Sequence, residues 1–256
     1  MIKRLIGMLM GQQPEKSSRP LRIPFEEHDI DIRKISPCAT RIISTLNQSG
    51  HEAYVVGGAV RDLLLDVTPK DFDVVTDATP EQVRRVFRNS RIIGRRFRLV
   101  HVYCGDDLVE VSTFRAPHET SDTQDRKGRV LRDNTFGSIN EDAIRRDFTV
   151  NALFYDMRTE EVLDFCGGYE DTRQSVLRII GAPMQRYRED PVRMLRAIRL
   201  SEKLGLTIDS KTKAPFKKLA GLLGDVPTAR LYDEFIKIIK SGSSASAVEQ
   251  IVAHGF

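Results

Sequence analysis

Apolar and polar positions alternate differently along this 256-residue chain, with strand-like runs in the first part and helical spacing in the second. Pro37 to Leu46 carries its apolar residues at helical intervals and is broken by Asn47 to Gly50. Glu52 to Val56 then predicts a short buried strand, Gly57-Gly58 a turn, Ala59 to Leu65 a helix and Phe72 to Val75 a second strand. In Thr79-Pro80-Glu81-Gln82 an N-cap, a proline at the first helical position and a capping-box glutamine coincide, predicting a helix from Pro80 to Arg88. Two alternating runs, Phe97 to Tyr103 and Leu108 to Phe114, flank the hairpin-like Gly105-Asp106-Asp107. Ala116 to Arg129 is almost wholly polar and reads as a mobile surface loop. Helical spacing runs from Asn140 through Leu153, a strand is expected near Val162 to Phe165 before the Gly167-Gly168 turn, and beyond Pro183 every periodic segment is helical. The expected fold class is α+β, a strand-bearing head over residues 36–182 followed by an all-helical neck over 183–256. Residues 1–35, polar, charged and proline-bearing beyond Gly11, are expected to be a flexible basic lead-in.

Composition narrows the function classes. No stretch approaches the ~18 apolar residues that span a bilayer, and the weakly apolar start, Met1 to Met10, is too short for a signal peptide, so no membrane insertion is expected. Cys38, Cys104 and Cys166 are far apart without a CxxC, which suggests neither a disulfide framework nor a zinc thiolate site and suits a reducing cytoplasm. The five histidines lack the HExxH spacing of zinc hydrolases. A net charge of +4 with the cluster Arg84, Arg85, Arg88, Arg91, Arg95, Arg96 and Arg98 fits an acidic partner such as RNA, and equally an arginine-decorated solvated helix.

Four stretches carry candidate chemistry. In Asp71-Phe72-Asp73 the carboxylates are two apart on a predicted strand, so both leave the same face while Phe72 points inward. Adjacent carboxylates repel unless a cation neutralises them, and hard oxygen ligands suit magnesium, although a DxD also fits solvated turn residues. Ahead of it, Tyr54-Val55-Val56-Gly57-Gly58-Ala59-Val60-Arg61-Asp62 reads as strand, glycine turn and helix, offering backbone N–H groups and Arg61 to an anion, or else a simple packing turn. Arg145-Arg146-Asp147 supplies a further carboxylate among arginines, a third ligand for a two-metal site or a salt-bridged helix start. In Glu189-Asp190-Pro191-Val192-Arg193, Asp190 and Arg193 are i, i+3 neighbours that set an acceptor beside a donor, the complement of adenine and cytosine; Asp190 as a plain N-cap is the alternative. Arg196 and Arg199 lie further round that helix and suit phosphate or a neighbouring domain.

In this order the four stretches resemble the class II nucleotidyltransferases, the family of tRNA CCA-adding enzymes and bacterial poly(A) polymerases, over roughly Arg22 to the C-terminus. The resemblance implies a polymerase-β-like head with a helical neck, Mg2+ on Asp71 and Asp73, and Asp147 completing the catalytic set. It also implies nucleotide-binding roles for Gly57, Gly58, Arg61, Arg146, Asp190, Arg193, Arg196 and Arg199. The implied reaction is template-independent transfer of AMP from ATP to RNA 3′ ends. Arg22 to His28 and Ile93 to Val102 resemble the poly(A) polymerase branch; CCA addition is the alternative reaction, and a truncated, non-catalytic RNA- or nucleotide-binding module the alternative class. Thr172 and Ser175 depart from the family's Gly-Gly connector, and the chain ends at Phe256, before the family's further helical domains, so weak RNA grip is expected.

Overall fold

In a computed structural model of the chain, residues 19–94, 98–116 and 135–256 are described. The expected loop over 116–129 lies almost wholly outside them.

One mixed sheet organises the first part. Its strands are β1 (Leu21–Ile23), β2 (Ala53–Val56), β3 (Asp73–Thr76), β4 (Ser90–Ile93), β5 (Leu99–Cys104), β6 (Asp107–Thr113), β7 (Leu153–Asp156) and β8 (Glu161–Asp164). They run in the order β1-β8-β7-β2-β3-β6-β5-β4, every pair antiparallel except β3 with β6. Helix α1 (Pro37–Gln48), capped by Ser36, lays Ile42, Ile43 and Leu46 on one sheet face. Helix α2 (Gly58–Leu64) follows the glycine turn, and α3 (Pro80–Val86) starts at the expected capping box on Thr79 and Gln82. The opposite face carries a smaller cluster, where Ala143 of α4 (Ile139–Arg145) meets Tyr54, Val56, Val75 and Phe154.

A second core joins α5 (Pro183–Glu189), α6 (Val192–Leu204), α7 (Thr228–Ile239) and α8 (Ser244–His254). Phe148, Val150, Leu177 and Ile179 also enter it, so packing crosses the sequence boundary at residue 183. Helix α6 stops at Gly205, which adopts φ 65°. The Gly167-Gly168 backbone lies so close to Thr149 that a Cβ on Gly168 would meet its carbonyl oxygen at 2.1 Å.

Three expectations are corrected. The lead-in is structured from β1 onward: Leu21 to Ile23 pairs with β8, and Ile23, Ile30 and Ile35 are buried. Three residues including a charged Arg22 carry no readable periodicity; a partner more than a hundred residues away supplies the order. The helical run expected through Leu153 breaks after Arg145, and Leu153 begins the central strand β7, buried on both faces. Last, Cys38 at the start of α1 and Cys104 at the end of β5 form a disulfide with Cα atoms 5.7 Å apart, across 66 residues that sequence spacing could not connect.

Candidate active site

The site grows from strand register. Val56 at the end of β2 stands opposite Asp73, and Asp73 stands opposite Glu110 of β6. Their neighbours Val74 and Val111 are buried against α1, so by the two-residue alternation Asp73 and Glu110 leave the other face. Both are exposed there and line a cleft of about 230 Å³ with Ser112, Arg115 and Arg146. Asp71, just before the strand, is exposed, and Phe72 between the two aspartates packs half-buried against the core. The Asp73 carboxyl keeps an edge open to solvent, yet the cleft walls and then Glu110 push its pKa up to about 6, Arg146 opposing and Asp71 adding to the rise.

Among the described residues no three His, Cys, Asp or Glu side chains converge closely enough to enclose a metal by themselves. A pair of repelling carboxylates in a cleft instead suits a hard divalent cation that completes its shell with water and substrate phosphates.

Beside the carboxylates lies the glycine turn. Gly57 has φ 75°, a left-handed value that disfavours a side chain, and a Cβ there would sit 3.4 Å from Arg146 Nη1. Arg146 is held in the cleft by Asp142, which accepts from Nε at 3.0 Å and Nη2 at 2.8 Å, and its guanidinium lies 5.3 Å over the Phe154 ring. Arg61 is placed differently from expectation. It is buried, donates to Asp62 and to the Asn151 side chain, and so ties α2 to the segment after Asp147 rather than presenting itself to a phosphate.

The structure also moves Asp147 away from the expected role. Its Oδ1 accepts from Phe148 N at 2.8 Å and Asn151 Nδ2 at 3.1 Å, its Oδ2 accepts from Arg196 at 2.7 Å, and it does not line the cleft. Burial alone would raise its pKa, but the Arg196 charge and hydrogen bond, with the Asn151 amide, hold it well below the usual carboxylate range. Glu110, not Asp147, is the carboxylate that stands beside Asp73 in the cleft. The sequence signal for it was a charge flanked by Val109 and Val111 on an alternating strand; its partner Asp73 is a neighbour only through β3–β6 pairing.

In the neck, Asp190 does not cap the helix, since Pro191 occupies the N-cap. One Asp190 oxygen accepts from Arg230 at 2.9 Å while Oδ1 is buried with no partner among the described residues, an acceptor awaiting a donor. Arg193 donates from Nη1 to Arg186 O and approaches Glu189 at 3.3 Å. Arg196 joins the neck to Asp147, and Arg199 pairs with the buried Glu234 of α7. These two arginines are internal struts. Arg186, whose pKa burial and then Arg193 push down to about 10, adds a second link by donating to the Arg145 and Arg146 carbonyl oxygens.

Comparison with known proteins finds relatives over most of the chain. Residues 53–178 match the family model described as the poly A polymerase head domain, and residues 205–256 the probable RNA and SrmB-binding site of polymerase A. Poly(A) polymerase I of Salmonella typhimurium is 50% identical over 235 residues, covering 90% of this chain and 50% of the relative. The CCA-adding enzyme of Bacillus subtilis is 36% identical, covering 86% and 54%. Among solved structures, the Bacillus stearothermophilus CCA-adding enzyme in complex with CTP superposes with a TM-score of 0.69 at 34% identity, covering 79% of this chain and 49% of that one. The chain thus spans about half the length of the relatives it matches. With the head and RNA-binding models matched in order and the carboxylate sheet in place, the chain belongs to the nucleotidyltransferase family of bacterial poly(A) polymerases and CCA-adding enzymes.

Proposed function

We propose that the chain transfers AMP from ATP to the 3′ end of RNA without a template. The observation that carries this is the register placing Asp73 opposite Glu110 in a cleft bordered by the Gly57 turn and Arg146. In the reaction the RNA 3′-oxygen bonds to the α-phosphorus, the bond to the β-phosphate oxygen breaks, and pyrophosphate and the hydroxyl proton leave. Asp73 and Glu110, with Asp71 at the rim, hold the divalent cations, Mg2+ by the chemistry of the donor set. When bound, two such ions supply activation of the attacking hydroxyl and neutralisation of the leaving oxygen. Arg146, fixed by Asp142, faces the triphosphate, and the glycine turn admits it closely. The free Oδ1 of Asp190 accepts from the exocyclic amine of adenine, with Arg193 donating to the neighbouring ring nitrogen.

The same donor–acceptor pair accommodates cytosine, which makes CCA addition the second reading. One experiment separates them: the purified chain is offered an oligoadenylate primer or a tRNA lacking its CCA end, with each NTP in turn and Mg2+. AMP incorporation on oligoadenylate is expected. CMP incorporation on the tRNA overturns the preferred reaction, and ATP binding with no extension of either RNA supports a non-catalytic module. Among the described residues no helix is long and apolar enough to cross a membrane. A cytoplasmic setting, where ATP and RNA ends meet, goes with this reading, while the Cys38–Cys104 pairing stands against it.

A further inference from the structure

The carboxylates divide the sheet face into two unlike sides. Toward β2 and β7 the face is roofed by α4, with Ala143 packed among Val56 and Phe154 and Arg146 beside the Gly57 turn. Toward β5 and β4 the face continues as one cross-strand row: Asp73 opposite Glu110, Glu110 opposite His101, His101 opposite Arg91. The intervening Ile92, Val100 and Val102 pack into the core, so His101 and Arg91 share the face of the carboxylates. His101 Nε2 lies 3.2 Å from Glu110 Oε1, and its ring meets that of Tyr103 edge-on with centroids 6.4 Å apart. Tyr103 is 38% exposed, and Arg91 is exposed with no ion-pair partner among the described residues. With strands about 4.8 Å apart, Arg91 sits roughly 10 Å from Glu110.

Phosphoryl transfer requires the attacking and leaving oxygens to lie roughly in line on opposite sides of the phosphorus. If the triphosphate occupies the roofed side, between Arg146 and the glycine turn, pyrophosphate leaves on that side. The 3′-hydroxyl then arrives over β5 and β4. An exposed aromatic ring beside an unpaired guanidinium is the combination that holds single-stranded nucleic acid, one stacking on a base and the other meeting a phosphate. We propose that the β4–β5 face is the seat of the last nucleotides of a single-stranded RNA primer, with Tyr103 stacking on a base and Arg91 contacting the backbone. This rests on the reading of the chain as an RNA 3′-end transferase.

The test measures binding of a fluorescently labelled oligoadenylate and, separately, of ATP to the 256-residue chain and to its Tyr103→Ala, Tyr103→Phe, Arg91→Ala and Arg91→Lys variants. Tyr103→Ala is expected to weaken oligoadenylate binding about tenfold or more, the loss of one base stack. Arg91→Ala should lower the steepness of log affinity against log salt by about 0.7, one phosphate contact. ATP binding should not change, and the Phe and Lys variants should restore RNA affinity and slope. RNA affinity within about twofold of wild type in both alanine variants overturns the proposal. If ATP binding falls too, failure of Phe and Lys to restore RNA binding also overturns it. A wild-type chain that extends no primer yet loses RNA affinity in these variants counts against the transferase reading and for this surface.

Discussion

Asp73 and Asp147 are both aspartates in stretches that resemble one catalytic set, and their surroundings give them opposite properties. Asp73 lies at a cleft mouth beside Glu110, where cleft burial and like charge favour its protonated form; Asp147 is enclosed by Arg196, Asn151 and a backbone amide that favour the carboxylate. Asp73→Ala and Glu110→Ala should each abolish primer extension while leaving thermal unfolding near wild type, since both side chains are exposed. Loss of a metal ligand removes several kcal/mol of transition-state stabilisation, so a residual rate above about a tenth, only about 1.4 kcal/mol, contradicts the assignment. Asp147→Asn should instead destabilise by about 3 kcal/mol, the low end for a broken buried pair because Arg196 keeps 30% exposure. Because the folded-state pKa of Asp147 is depressed, its contribution is present above the ordinary carboxylate value of about 3.9 and is lost as pH falls below it. Denaturant unfolding of wild type and Asp147→Asn should therefore differ at pH 7 and converge in acid.

At the scale of elements, the well-marked pieces were those with local signals. The helix Pro80–Val86 begins at its Thr79–Gln82 box, α6 ends at its glycine, and β5–β6 forms the expected hairpin. Elements held by distant partners were misread: β1 depends on β8, and β7 is a central strand whose uniformly buried side chains show no alternation. The Cys38–Cys104 bond belongs to this class, pinning α1 to β5. Titration of the native chain should find one reactive thiol, Cys166, and three after unfolding in reductant. Cys104→Ser should lower stability by about 2–4 kcal/mol on a loop-closure account, and an unchanged denaturation midpoint would show that the bond carries nothing. Gly57→Ala, at φ 75° against Arg146, should cost about 1–2 kcal/mol and displace the guanidinium, raising the KM for ATP more than that for RNA.

For the whole molecule, a net charge of +4 over 256 residues is a modest excess. With so small an excess, the 256-residue chain should hold RNA through few phosphates. Two to four contacts give a slope of log affinity against log salt of about −1.4 to −2.8 for a single strand. Short distributive ladders should accompany it. Long tails formed in excess competitor RNA, or a slope steeper than about −5, would show a grip typical of many more contacts.

The glycine turn and the closeness of Asp71 to Asp73 and of Asp190 to Arg193 were legible in the sequence because each is encoded within a few neighbouring positions, whereas their roles belong to the proposed reaction. So was the division into a sheet and a helical part, which follows from hydrophobic period. Only the tertiary structure decided which charges are free to act. Parallel pairing of β3 with β6 brings Glu110 to Asp73, while head–neck packing engages Asp147 with Arg196, packing within the neck engages Arg199 with Glu234, and packing within the head engages the turn's own Arg61 with Asp62 and Asn151. A charged residue's role depends on what lies opposite it in space, and strand register and domain packing set that over tens of residues of separation, beyond the reach of local pattern.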